Sequence, residues 1–167
     1  MVKIKMSYYL GAGTSVPLGD LNDGWKMGFH GYGRMDFAVS PKLDVLAGAD
    51  YHFFSLEDQP DTSVEGGTFS TINLTGDFKV NLGTPDKGAN PYLLGGIGLA
   101  IQNISDSSFA VSAQSRSLKS FDTKTNALIE IGGGVELKTL FIQGRYVNIL
   151  SDSTSISYIP ITVGVKF

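Results

Sequence analysis

Y-I-P-I-T-V-G-V-K-F, residues Tyr158 to Phe167, carries an apolar side chain at every second position. Side chains on an extended strand alternate between its two faces. Ile159, Ile161, Val163, Val165 and Phe167 therefore share one face, and Tyr158, Thr162, Gly164 and Lys166 share the other. One face is wholly apolar and the other is mixed.

The same alternation recurs upstream, where Gly, Pro, Asn and Asp divide the chain into about eight segments. Lys5 to Val16 sets Tyr8, Leu10, Ala12, Thr14 and Val16 against Tyr9, Gly11, Gly13 and Ser15. Trp25 to Val39 is the clearest: Trp25, Met27, Phe29, Met35, Phe37 and Val39 oppose Lys26, His30, Tyr32, Arg34 and Asp36. Leu43 to Phe54 opposes Val45, Ala47, Ala49, Tyr51 and Phe53 to Asp44, Leu46, Asp50 and His52. Thr68 to Leu82 opposes Ile72, Leu74, Phe78 and Val80 to Asn73, Thr75, Asp77 and Lys79. Tyr92 to Ser105 is apolar on both faces, and its glycines favour a strand over a helix. Thr125 to Leu137 turns Glu130 and Glu136 away from Ile129, Ile131 and Val135, and Leu140 to Ile149 turns Gln143 and Arg145 away from Ile142 and Tyr146. The closing segment is the eighth.

Connections alternate in length: longer after segments one, three, five and seven, shorter after two, four and six. The polar stretches Ser55 to Gly67 and Asp106 to Lys124 are the longest. Aromatic residues collect near segment ends, with Trp25, Tyr51, Phe53 and Phe69 at one rim and Phe37, Phe78, Tyr92, Phe141 and Phe167 at the other, as in an interfacial girdle.

Composition agrees with this pattern. The 167 residues suit a single domain over 1–167, and 17% charged residues is below the roughly 25% usual in soluble domains. Twenty-one glycines fit closely packed strands better than helices, which lose about 1 kcal/mol per interior glycine. No run of 18 apolar residues occurs, so a membrane-spanning helix is excluded. A closed β-barrel can still cross a bilayer, because closure satisfies every backbone donor and acceptor without water. The absence of cysteine removes disulfides and thiolate metal sites, and a net charge of -3 without a basic run argues against nucleic acid. Met1 to Met6 lacks the apolar stretch of a secretory signal, so the chain is read as a mature form.

The ending resembles the closing strand of bacterial outer-membrane β-barrels, whose assembly machinery recognises an alternating segment with a terminal aromatic residue. With L-F-I-Q-G-R-Y (Leu140 to Tyr146), it makes the chain resemble small eight-stranded barrels of the OmpA-transmembrane-domain and OmpX type, within the outer membrane protein beta-barrel domain family. The resemblance implies an all-β fold, a closed antiparallel up-and-down barrel of eight strands in the bacterial outer membrane. It also implies contact with outer-membrane lipid and lipopolysaccharide, and an assembly signal at Tyr158, Ile161, Val163, Val165 and Phe167. The carboxy-terminal peptidoglycan-binding domain of full-length OmpA-like proteins has no counterpart in these residues, so its anchoring role is not carried over.

In such a barrel the inward register holds Arg34, Asp36, Asp44, Asp50, Asp77, Lys79, Glu130, Glu136, Arg145 and Lys166. In a narrow lumen each needs an opposite partner. The set reads as a charged conduit or, preferably, as an ion-paired plug. A few eight-stranded outer-membrane barrels are lipid A-modifying enzymes with a serine and a histidine at the lipid interface. Here His52 follows Asp50 on the inward face, but Phe54 stands two residues beyond it where the deacylases have serine, and Tyr32 stands two beyond His30. Both histidines are therefore expected to be ordinary lumen or rim residues. G-G-I-G and I-G-G-G-V lack the following helix and lysine of a phosphate loop. Glu57, Asp58, Asp61 and Glu65 lack the spacing of a calcium loop and read as solvated surface. The expectation is a non-enzymatic barrel without metal or cofactor, acting through its loops on a surface or protein partner. A small pore, a lipid A-modifying enzyme and a soluble lipocalin-like binder are the alternatives.

Overall fold

The computed structural model describes residues 5–22, 25–55, 64–65, 68–83, 88–105, 108–109, 122–151 and 156–167. The strands are β1 (Lys5–Leu18), β2 (Gly28–Ala38), β3 (Leu43–Ser55), β4 (Val64–Glu65), β5 (Thr68–Asn81), β6 (Asn90–Ser105), β7 (Ser108–Phe109), β8 (Asp122–Leu137), β9 (Leu140–Leu150) and β10 (Ile156–Lys166). One 3-10 turn, Gly19–Leu21, follows β1. Eight strands close in the order β1-β10-β9-β8-β6-β5-β3-β2, each pair antiparallel, which makes an up-and-down barrel. Closure lies between β1 and β10, from Tyr9↔Lys166 to Leu18↔Ser157. Phe167 extends it by exchanging backbone hydrogen bonds with Tyr8 at 2.8 and 3.0 Å, so the barrel closes on itself without a free edge strand.

Barrel strands differ from the segments read from alternation at their ends: β2 is shorter, Gly28–Ala38 against Trp25 to Val39, while others run beyond. β1 continues through Pro17 to Leu18 and β8 begins at Asp122, because ladder bonding persists where the apolar pattern has faded. β4 and β7 form a separate two-stranded sheet, Val64↔Phe109 and Glu65↔Ser108, which ties the two longest connections together. Two dipeptides are too short to carry an alternation that would announce the pairing. The acidic residues Glu57, Asp58 and Asp61 and the side chain of Glu65 lie outside the described residues.

The two registers separate cleanly. Among the described residues of the barrel strands, the outward set contains no Asp, Glu, Lys or Arg. Ile97, Phe29 and Ile131 are 72%, 69% and 65% exposed there. Such a belt is stable against hydrocarbon and unfavourable in water.

Three aromatics of the expected girdles turn inward instead. Phe69, Tyr92 and Phe141 are buried, because each shares the parity of a lumen residue on its own strand: Thr71, Leu94 and Gln143. Trp25 leans over the mouth, its ring centroid 5.8 Å from that of Phe69. Tyr51, Phe53, Phe78 and Phe167 remain on the outside.

Glycine supplies space where strands carry large inward side chains. Gly96 faces Asp77 on one side and Glu130 on the other, and a Cβ there would overlap the Asp77 carboxylate and the Gly76 carbonyl. Gly31 points outward, with nothing within 4 Å of the place a Cβ would take. Gly96→Ala is expected to destabilise by about 1–3 kcal/mol, and Gly31→Ala to stay within about 0.5 kcal/mol, in urea titrations of the detergent-solubilised protein.

Candidate functional site

The lumen is built in layers, each supplied by inward positions of several strands. Nearest the termini, Lys79 of β5 stands opposite Asp44 of β3. Its Nζ lies 3.0 Å from Asp36 Oδ2, 2.9 Å from Asp44 Oδ2 and 2.8 Å from Glu136 Oε1, and donates to the Tyr9 hydroxyl at 2.7 Å. Tyr9 in turn shares its hydroxyl hydrogen between Asp36 and Glu136. Lys166, partly exposed, reaches Glu136 Oε2 at 3.0 Å and Asp36 Oδ2 at 3.4 Å. Asn81 donates to Asp44 at 2.8 Å and Asn90 donates to Asn81 at 3.0 Å.

The second layer centres on Asp50. Arg34 engages it with two nitrogens, at 2.7 and 3.1 Å, and Arg145 Nη1 reaches its Oδ2 at 2.8 Å. Arg145 also binds Glu130 Oε2 at 2.9 Å, while Arg34 reaches Asp77 at 3.2 Å and Glu130 at 3.4 Å. Both guanidinium groups lie against the Tyr32 ring, 4.8 and 4.9 Å from its centroid. The side chains of Arg34, Asp50, Glu130 and Arg145 are fully buried. At such depth a charge persists only when paired and hydrogen-bonded. Gly48 stands opposite Arg34 and Gly132 opposite Arg145, leaving room for the long side chains; Gly132 of the I-G-G-G-V run therefore serves packing.

All ten charged residues assigned to the lumen point inward. They separate into two layers, Asp36, Asp44, Lys79, Glu136 and Lys166 below and Arg34, Asp50, Asp77, Glu130 and Arg145 above. Each layer sets three carboxylates against two cations. Asp36 Oδ1, Asp77 Oδ1, and Nε and Nη2 of Arg145 have no hydrogen-bond partner among the described residues.

Above them lies a cluster that local spacing does not reveal. Ser15 Oγ of β1 is 3.1 Å from His30 Nδ1 and 2.9 Å from His52 Nδ1, His30 Nε2 is 2.8 Å from Thr162 Oγ1, and His52 Nε2 is 3.8 Å from Asp50 Oδ2. The direction of each of these bonds follows the histidine tautomers, and His52 Nε2 has no hydrogen-bond partner among the described residues. Serine, histidine and aspartate thus meet in an order resembling a nucleophilic triad. Ser15 and His52 are 0% exposed and His30 4%, so the cluster lies inside the closed barrel. The signal that finds Ser15 is strand register, Ser15↔Gly28 with His30 two residues on, rather than spacing near either histidine.

Asn73 donates to the Tyr158 hydroxyl at 2.6 Å, and above it Leu21, Phe54, Phe69, Ala100, Leu128, Val147, Ile149 and Tyr158 pack into an apolar cap. Leu21, carried in by the 3-10 turn, is 5% exposed. Of the residues assigned to assembly recognition, Ile161, Val163, Val165 and Phe167 lie on the outer surface, while Tyr158 is fully buried inside. Among the described residues no group of His, Asp or Glu is arranged to hold a metal ion.

No protein-family model matches the chain, and no curated protein matches its sequence. Solved structures do match. Neisserial surface protein A (NspA) superposes with a TM-score of 0.69 at 15% identity, over 96% of this chain and 95% of that one. Ail, the attachment invasion locus protein of Yersinia pestis, in complex with the heparin analogue sucrose octasulfate, gives 0.55 at 14% identity, over 99% and 100%. The N-terminal β-barrel domain of Pseudomonas aeruginosa OprF gives 0.51 at 16% identity, over 99% and 100%. With its closed eight-stranded meander, its uncharged outer belt and these neighbours, the chain has the fold of the small bacterial outer-membrane β-barrels.

Proposed function

We propose that this chain is a non-enzymatic platform of the bacterial outer membrane, whose plugged barrel holds surface loops outside the cell for contact with lipopolysaccharide, host surfaces or other proteins. The termini and the short turns face the periplasm in this reading, and the 56–67 and 106–121 connections face outward. The observation that carries it is the filled lumen: two ion-paired layers, a hydrogen-bonded histidine layer and an apolar cap in succession. A barrel so filled spends its interior on rigidity and keeps its variable chemistry in the connections. Pairing of β4 with β7 supports a loop surface of defined shape. The exposed face of β10 is offered to the outer-membrane assembly machinery before closure.

Conductance separates this reading from a small pore. Reconstituted in planar bilayers, the protein is expected to give no steady single-channel steps; reproducible unitary openings by the unaltered chain would replace the platform with a pore.

A further inference from the structure

At the mouth shared by the termini the interior opens into a cavity of about 420 Å³, within the roughly 300–1,000 Å³ of small-molecule pockets. Its ceiling is the Lys79 layer, where Asp36, Asp44 and Glu136 face only two ammonium groups. Asp36 lines the cavity and is 3% exposed, yet its Oδ1 accepts no hydrogen bond. Lys79 has nothing left to give it, since four acceptors already surround its three hydrogens. At the rim stand Lys5 and Lys138, both exposed and neither in an ion pair among the described residues. Among the described residues, the cavity is therefore negative at its depth and positive at its edge.

A simple anion would be held by the rim and repelled by the ceiling, and a simple cation the reverse. We propose that this cavity binds a small zwitterion carrying a primary ammonium and a carboxylate at opposite ends of a short chain, as an ω-amino acid does. The ammonium donates to Asp36 at the ceiling, and the carboxylate lies between Lys5 and Lys138. Charge-assisted hydrogen bonds at both ends supply affinity and fix the orientation. The site is at the opposite mouth from the loops and stands or falls independently of any loop partner.

The full chain in detergent micelles can be titrated separately with 6-aminohexanoate, ethylammonium and acetate while the side-chain amides of Asn81 and Asn90, which line the cavity, are followed by nitrogen NMR. Saturable shifts are expected with 6-aminohexanoate at concentrations about tenfold below those needed for either half-ligand. Asp36→Asn should weaken zwitterion binding by about tenfold. Lys5→Ala with Lys138→Ala, which alters only exposed side chains, should do the same with the spectrum otherwise unchanged. Absence of saturation with 6-aminohexanoate, equal binding of acetate, or undiminished affinity in the double lysine variant would overturn the proposal.

Discussion

Asp50→Ala should lower the free energy of unfolding by about 3–5 kcal/mol, the largest loss expected from any single truncation in the lumen. Of the two carboxylates that both Arg34 and Arg145 reach, Asp50 is the nearer, at 2.7 and 2.8 Å, and all three side chains are fully buried. Removing it leaves two guanidinium groups against Asp77 and Glu130, with their positive charge insufficiently solvated. It also removes the carboxylate that lies 3.8 Å from His52 Nε2. Trp25, the single tryptophan, packs on Phe69 at the capped mouth and reports unfolding in urea by its fluorescence. Adding Arg145→Met to Asp50→Ala should recover part of the loss, because an apolar side chain of similar length removes the stranded charge. A loss under about 1 kcal/mol would mean that water screens this layer as it screens a surface pair.

Ile97→Arg tests the other face. Ile97 lies midway along β6, points outward and is 72% exposed, paired across the ladder with Gly76 and Ile129. In a bilayer its replacement by arginine is expected to cost about 2–4 kcal/mol, whereas Asn103→Arg, outward near the capped mouth, should cost no more than about 1 kcal/mol. Folding into vesicles of defined composition, followed by urea titration, measures both. In an aqueous barrel the two changes would be equally mild, so a depth-dependent difference ties the apolar belt to hydrocarbon. Equal small effects would move the protein out of the membrane and reopen the soluble binder.

Period-two alternation is enough to sort residues into two faces. Phe29, Met35 and Phe37 against His30, Arg34 and Asp36 cannot be satisfied by one solvent, and a strand cannot rotate one set without exposing the other. Even β6, apolar on both sides, belongs in the ladder because Gly96 and Gly98 sit where neighbouring inward side chains need space. Nearness to a strand end is a weaker guide than parity for the aromatic girdles: Phe69, Tyr92 and Phe141 stand near strand ends, have inward parity and are buried. The lumen charges are legible as a set and illegible as pairs. Asp36 and Arg34 are neighbours on β2, yet Asp36 pairs with Lys79 and Lys166 while Arg34 pairs with Asp50.

The sequence by itself determined the eight barrel strands and the inward face of the ten charged residues, because alternation is a local property of extended backbone next to two different media. Only the tertiary structure decided what meets inside: Asp50 between two arginines, Ser15 between two histidines, and a cap of apolar residues over polar layers. Those encounters depend on the height each inward residue reaches when β1 closes on β10. That height is set by strand stagger around the whole ring, a quantity no single segment contains.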